Sequence, residues 1–402
     1  MIKKITVEEL TLGMYVQELH SSWMNHPFWK TSFLLEDDED LQKIRSCGVK
    51  NVSIDLSKSV LKKAKPAEPP ANKTTDSVAK PKTKPAPVKF SLQRELAKAR
   101  ELCDTSRSAV MNMFKEARMG ATVSADVVEN VVEQIANSVV RHPQALISLA
   151  RLKTADNYTY LHSVAVSAMM VAFAKALGFD EEQTREAGAA GLLHDLGKSG
   201  IPDSILSKPG KLTTEEFEII KTHSSIGAEI LEATPDVNPN VIEACLHHHE
   251  KMDGSGYPHG LKGDEITRLA RMTAICDVYD AVTSNRPYKQ GWCPAESLQR
   301  MMQWKGHFDP ALFQVFVKTL GIYPTGTLVR MESQRLAVVV EQNEGSILKP
   351  VVKVFFSLRS NLPLSPQLLD LSSSKANDKI IAREAQEDWN FKYLDELWQS
   401  EN

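Results

Sequence analysis

Six of the eleven histidines (His162, His194, His223, His247, His248 and His249) fall between positions 162 and 249. Each lies in or beside a stretch whose apolar residues recur with helical spacing. Bringing such positions together requires several helices to converge on one point, a demand that the core of a helical bundle meets. The helical pattern runs from Phe90 to about Leu320, in stretches 90–116, 125–140, 144–153, 157–177, 183–196, 214–232, 239–250, 266–283, 295–304 and 309–320. Its ends are marked by Asp180 three before Gln183, Thr213 three before Glu216, Asn238 before Pro239, and Gly178 after Leu177.

Residues 62–89 contain eight Lys, six Pro and two acidic residues, so this stretch carries 8 − 2 = +6. With only Val78 and Val88 as bulky apolar residues it cannot repay the entropy of ordering, and it reads as a semi-stiff linker. Before it, residues 1–61 show short β-type runs (Met14–Val16, Ser32–Leu35, Val49–Ile54) around a helical stretch, Glu36–Arg45, which predicts a small α+β module. After Gly321, the runs GTLVRM, RLAVVVEQ and VVKVFFSL predict a small β appendage in 321–402. Trp389, Phe391, Tyr393 and Trp398 are available there to dock the tail. The expected fold is mainly α: a helical bundle over 90–320 with an α+β module before it and a β appendage after it.

Across 402 residues, 48 basic against 51 acidic side chains give a net charge of −3, which argues against a dedicated nucleic-acid coat. Five scattered cysteines without a CxxC pair suit a reducing cytoplasm. The most apolar stretch, Val164–Ala174, is far short of the roughly 20 residues that cross a bilayer, so a cytoplasmic protein without membrane insertion is expected.

Imidazole and carboxylate together suit divalent metals of borderline hardness. His194 and Asp195 are adjacent, and neighbouring helical residues point about 100° apart, so one ion does not easily take both. A carboxylate has two oxygens and can bridge two ions. His248 and His249 pose the same question, and Asp277 lies on a further helical stretch.

At this point the sequence resembles the HD-GYP subgroup of HD-domain metal-dependent phosphohydrolases. The strings that carry the likeness are YTYLHS (158–163), GLLHDLGKSGIPDSIL (191–206), LTTEEFEIIKTHSSIGAEIL (212–231), HHEKMDGSGYPHGL (248–261) and ITRLARMTAICDVYDAVTSNRPYK (266–289). The likeness covers about 125–320. Residues 1–60 look like the small module that often precedes this domain.

The resemblance implies an HD-type bundle and a ligand set of His162, His194, Asp195, His223, His248, His249 and Asp277. In that set His162, His194 and Asp277 would serve one ion, His223, His248 and His249 the other, and Asp195 both. It implies two divalent ions, iron favoured and manganese also usable. Some members hold a third ion through a glutamate one turn before the first histidine; here Tyr158 stands at that position, which favours two. Two such ions would activate a bridging hydroxide for attack on a phosphodiester. Lys198, four residues after His194, is placed for a phosphate oxygen or the leaving group.

Asp253, Gly254, Gly256, Tyr257 and Pro258 form a turn-rich rim, with Tyr257 also a candidate substrate contact. Arg286 and Lys289 make a basic lip, and Asp280 is a substrate-side or orienting carboxylate. The activity implied is hydrolysis of cyclic di-GMP to pGpG and onward to GMP. The alternatives are hydrolysis of 3′3′-cyclic GMP-AMP or a non-hydrolysing cyclic dinucleotide receptor. A homodimer or regulatory contact through residues 1–61 is the expected role of the first module.

Overall fold

The capping residues stand where the helices begin. In the computed structural model, Asp180 accepts from the Gln183 amide at 2.8 Å while Gln183 Oε1 accepts from the Asp180 amide. Thr213 and Glu216 reciprocate in the same way. Each box satisfies two amides that a helix N-terminus leaves without an internal partner. The structure describes residues 2–11, 14–19, 33–35, 41, 51–55, 92–150, 158–208, 210–284, 291–343, 346–374, 376–389, 391 and 393–399. The linker 62–89, most of Glu36–Arg45, Cys47, Arg286 and Lys289 lie outside them.

The chain divides into two units, 1–83 and 84–402. The first holds strands β1 (Ile2–Thr6), β2 (Tyr15–Leu19), β3 (Phe33–Leu34) and β4 (Asn51–Asp55) in the antiparallel order β1-β4-β2-β3. Ile5, Leu10, Val16, Leu35, Val52 and Ile54 form its core. β1 lies in a segment the apolar alternation did not single out.

The second unit is mainly helical. It contains α1 (Leu92–Arg118), α2 (Ala125–Arg141), α3 (Pro143–Ala150), α4 (Tyr158–Ala176) and α5 (Glu181–Leu193), then a 3-10 turn over Leu196–Gly200. It continues with α6 (Asp203–Leu206), α7 (Thr214–Lys221), α8 (His223–Glu232), α9 (Pro239–His247), α10 (Arg268–Thr283), α11 (Pro294–Gln303) and α12 (Pro310–Leu320). α4 is buried from Val164 through Ala174, and among the described residues no helix is long and apolar enough to cross a membrane. α4 and α5 approach closely because Gly191 has no side chain: a Cβ there would lie 2.9 Å from the Ser167 backbone.

Helical stretches at the site end earlier than their apolar spacing predicts, and 239–250 stops at His247. The stretch 183–196 stops at Leu193, and 214–232 is interrupted at Thr222. Gly197 supplies a physical reason. A Cβ on it would meet the His223 carbonyl oxygen at 1.8 Å and the Gly227 amide nitrogen at 2.4 Å, so the 3-10 turn presses backbone to backbone on α8.

A five-stranded antiparallel sheet completes the unit in the order β8-β7-β6-β5-β9, from β5 (Leu328–Met331), β6 (Arg335–Asn343), β7 (Ser346–Ser357), β8 (Leu362–Asp370) and β9 (Ile380–Arg383). The three expected runs are β5, β6 and most of β7. β8 and β9 are the two edges, and the prolines that hid β8 from a sequence reading, Pro363 and Pro366, are tolerated on an edge. Val338 and Val340 join the helical core, as does the fully buried Trp398 of α13 (Leu394–Gln399). Phe391 packs on Phe355 and Phe356, whereas Tyr393 is exposed.

Candidate metal centre

Three helices end at one place. His194 follows α5, His248 follows α9, and His223 stands just past α7 as the first residue of α8. At each position Nδ1 lies against the carbonyl oxygen three residues earlier: Gly191 at 2.8 Å, Ile220 at 2.6 Å and Cys245 at 2.7 Å. Those carbonyls lie in the last turns of helices, where acceptors outnumber intrahelical donors, and the imidazole N–H bonds to them. This assigns the proton to Nδ1 and leaves Nε2 as a lone pair facing inward. The negative ends of the α5 and α9 dipoles also gather there, which favours cations.

His162 comes from α4 and Asp277 from α10. The His162 Nδ1 donates to Asp280 Oδ2 at 2.6 Å, one turn of α10 beyond Asp277, and its Nε2 lies 3.0 Å from Asp277 Oδ1. A carboxylate behind a ligating imidazole fixes its tautomer and raises its basicity. Asp280 is buried behind His162, on the side of the ring turned away from the other donors.

Asp195 sits between two donor groups and offers one oxygen to each. Its Oδ2 lies 3.5 Å from His162 Nε2 and 3.4 Å from His194 Nε2, while Oδ1 lies 3.5 Å from His223 Nε2 and 3.9 Å from His248 Nε2. The donor atoms gather as His162, His194 and Asp277 on one side and His223, His248 and His249 on the other. His249 Nδ1 is 4.0 Å from Asp277 Oδ2, so the two groups are contiguous.

The donor chemistry fits divalent metal. His194 Nε2 faces His162 Nε2 at 3.2 Å, and His223 Nε2 faces His248 Nε2 at 3.3 Å. With the protons on Nδ1, each pair sets lone pair against lone pair, an arrangement that a cation makes favourable. Burial pushes His223 down, His248 well down and His249 to about 3, so these imidazoles are neutral and ready to ligate. Burial opposes ionisation of Asp195, but Lys198, His194 and His162 outweigh it and hold the carboxyl well below the usual range. Asp277 is held low against burial in the same way by the imidazoles around it, His162 first and then His194 and His249.

Lys198 places Nζ 2.5 Å from Asp195 Oδ2. It does so from the 3-10 turn, not from a helical face shared with His194, because α5 has already ended. Tyr257 packs on His249 in a tilted arrangement with ring centroids 4.7 Å apart and has its hydroxyl pushed up by burial and by Asp277. Tyr158 opens α4, one turn before His162.

Glu250 escaped the sequence reading. It is buried, and its Oε1 accepts from the His259 and Gly260 amides at 2.7 and 2.9 Å, which closes the loop containing residues 253–258. A Cβ on Gly256 would lie 2.4 Å from Glu250 Cα, so that glycine lets the loop fold onto its own base. The signal available was a carboxylate directly after three histidines. His247 faces His259 instead, Nε2 to Nδ1 at 2.9 Å.

A helical bundle whose core presents this imidazole and carboxylate set defines a metal-dependent hydrolase of the HD type. Residues 130–312 match the HD domain family, and residues 2–128, which include α1, match a domain of unknown function. The chain is 50% identical to a Pseudomonas aeruginosa protein named as a cyclic di-GMP phosphodiesterase, over 99% of this chain and 96% of that one. It is 41% identical to a Xanthomonas campestris cyclic di-GMP phosphodiesterase response regulator, over 42% of this chain and 46% of that one. A Vibrio cholerae 3′3′-cGAMP-specific phosphodiesterase is 43% identical over 35% of this chain and 27% of that one. The chain belongs to the HD-GYP family of metal-dependent phosphodiesterases.

Proposed function

We propose that this protein hydrolyses cyclic di-GMP to pGpG and onward to GMP, with two divalent ions, iron favoured and manganese accepted. The observation that carries the reading is the 50% identity over nearly the whole length to the P. aeruginosa phosphodiesterase, which spans the donor set and both units. His162, His194 and Asp277 would hold one ion, His223, His248 and His249 the other, and Asp195 would offer an oxygen to each. When bound, such ions supply Lewis-acid polarisation of a phosphoryl oxygen and lower the pKa of water.

The chain's own residues do the rest. Asp280 keeps the His162 proton on Nδ1 and the ring aimed inward. Lys198 brings an ammonium to the mouth of the site, where it meets a phosphate oxygen. Tyr257 covers His249 and offers an aromatic edge to the nucleotide, and Arg286 and Lys289 serve as further phosphate contacts. Hydrolysis adds the oxygen of water to phosphorus, breaks one ester bond and leaves the proton on the departing ribose hydroxyl. Residues 1–61 act as a dimerisation or regulatory module joined through the 62–89 linker, and the protein works in the cytoplasm.

The likeness to a 3′3′-cGAMP-specific enzyme supports a second reading, in which the mixed cyclic dinucleotide is the substrate. It covers only about a third of the chain. Anaerobic purification with metal analysis, followed by product chromatography on both dinucleotides, tests the two together. Two metals per chain and pGpG from cyclic di-GMP are expected. Rapid turnover of the mixed nucleotide beside none of cyclic di-GMP overturns the first reading.

A further inference from the structure

Arg118 is the last residue of α1 and lies outside the HD match, yet it grips the segment that carries Lys198. Its Nε donates to the Ser199 carbonyl oxygen at 3.1 Å, and its Nη1 pairs with Asp203 Oδ2 at 2.8 Å. Ser199 is in the 3-10 turn beside Lys198, and Asp203 opens α6, so one guanidinium spans the corner at Ile201–Pro202 from both sides. A planar fork with fixed donor directions suits that task, and an ammonium does not reproduce it.

α1 is itself held along its length. Near its start the buried Glu95 accepts from Arg141 Nε at 2.8 Å, Arg141 Nη2 at 2.7 Å and Ser138 Oγ at 3.1 Å. Between the ends, Leu96, Ala99, Leu102, Val110, Met113 and Ala117 are buried. Phe114 meets Tyr160 edge-on at 5.6 Å, two residues before His162. α1 thus presents a fixed end to the Lys198 turn and a side contact to the turn of α4 that bears His162.

We propose that Arg118 is a positioning residue: it fixes the Leu196–Gly200 turn, and through it the ammonium of Lys198, from a helix outside the HD match. The kinetic part of this proposal rests on the phosphodiesterase reading above, whereas the structural part does not. The test uses the full-length, metal-loaded protein with Arg118→Ala, Arg118→Lys and Asp203→Asn. Hydrogen exchange over residues 196–206 is measured beside steady-state kinetics on cyclic di-GMP and metal content.

For Arg118→Ala, exchange over 196–206 should quicken at least about fivefold and kcat fall about fivefold, because the hydrogen bond to Ser199 and the exposed ion pair with Asp203 are lost together. KM and metal content should stay within twofold, since Arg118 touches neither the donor set nor the mouth of the site. Arg118→Lys should recover only part of both losses. Asp203→Asn, which leaves the Ser199 bond in place and is the safer variant for folding, should show a smaller shift of the same kind. Exchange and kcat equal to wild type in Arg118→Ala would overturn the proposal, as would full rescue by lysine. A wild-type protein without turnover would defeat the phosphodiesterase reading, while the exchange comparison would still decide the role of Arg118.

Discussion

At the scale of single residues, the side chains of the site were legible by type and their settings were not. Asp195 was recognisable as a carboxylate beside a histidine, but that its two oxygens divide between two imidazole groups depends on four segments distant in the chain. Asp195→Asn keeps the shape and removes the charge. It should lower kcat at least about a hundredfold and reduce bound metal, with the far-ultraviolet circular dichroism of the bundle retained. Full turnover in the folded variant would contradict the assignment. Gly197 carries a steric demand of another kind. Gly197→Ala forces backbone apart at His223, an overpacking that costs about 1–3 kcal/mol or more, so its melting temperature should drop by several degrees. A melting curve superimposable on wild type would show that the turn has room after all.

At the scale of elements, capping chemistry marked helix starts reliably because it is local: Asp180 and Thr213 need only partners three residues away. Helix ends at the site were misread because Leu196 keeps the apolar spacing of 183–196 and Ile220 and Ile226 bracket 221–223, whereas a tertiary approach stops the helices there. β8 was missed for a related reason, since an exposed edge strand needs no apolar alternation and tolerates proline. One polar device in the sheet has a pH signature. Asp378 is shielded from solvent, and although burial would raise its carboxyl, the hydrogen bonds from Ser333 and Arg335 outweigh burial and hold it below the usual range. A depressed folded pKa means that the stabilisation is complete above the unfolded value of about 3.9 and fades as pH falls through the folded one. The stability gap between wild type and Asp378→Asn should therefore be steady from pH 7 down to about 5 and shrink below about 4. A gap unchanged at pH 3 in denaturant titrations would rule this account out.

At the scale of the molecule, the bundle gathers three helix C-termini and their histidines around one buried centre. Such a centre gains stability from the ions it accepts. At free metal a hundredfold above the dissociation constant, one site adds about 2.7 kcal/mol, so chelation should lower the melting temperature and readdition of manganese or anaerobic iron should restore it. A melting temperature indifferent to chelator would contradict the fit. The sequence by itself determined which segments are helical and several of those that are extended, where most helices begin, which side chains carry metal chemistry and which family they match, because these depend on residue type and short-range spacing. Only the tertiary structure decided how Asp195 divides its oxygens, where the ligand-bearing helices stop, which carbonyls lock the imidazoles, and that Arg118 reaches the Lys198 turn. Those features arise from contacts between distant segments, whose distances no local pattern encodes.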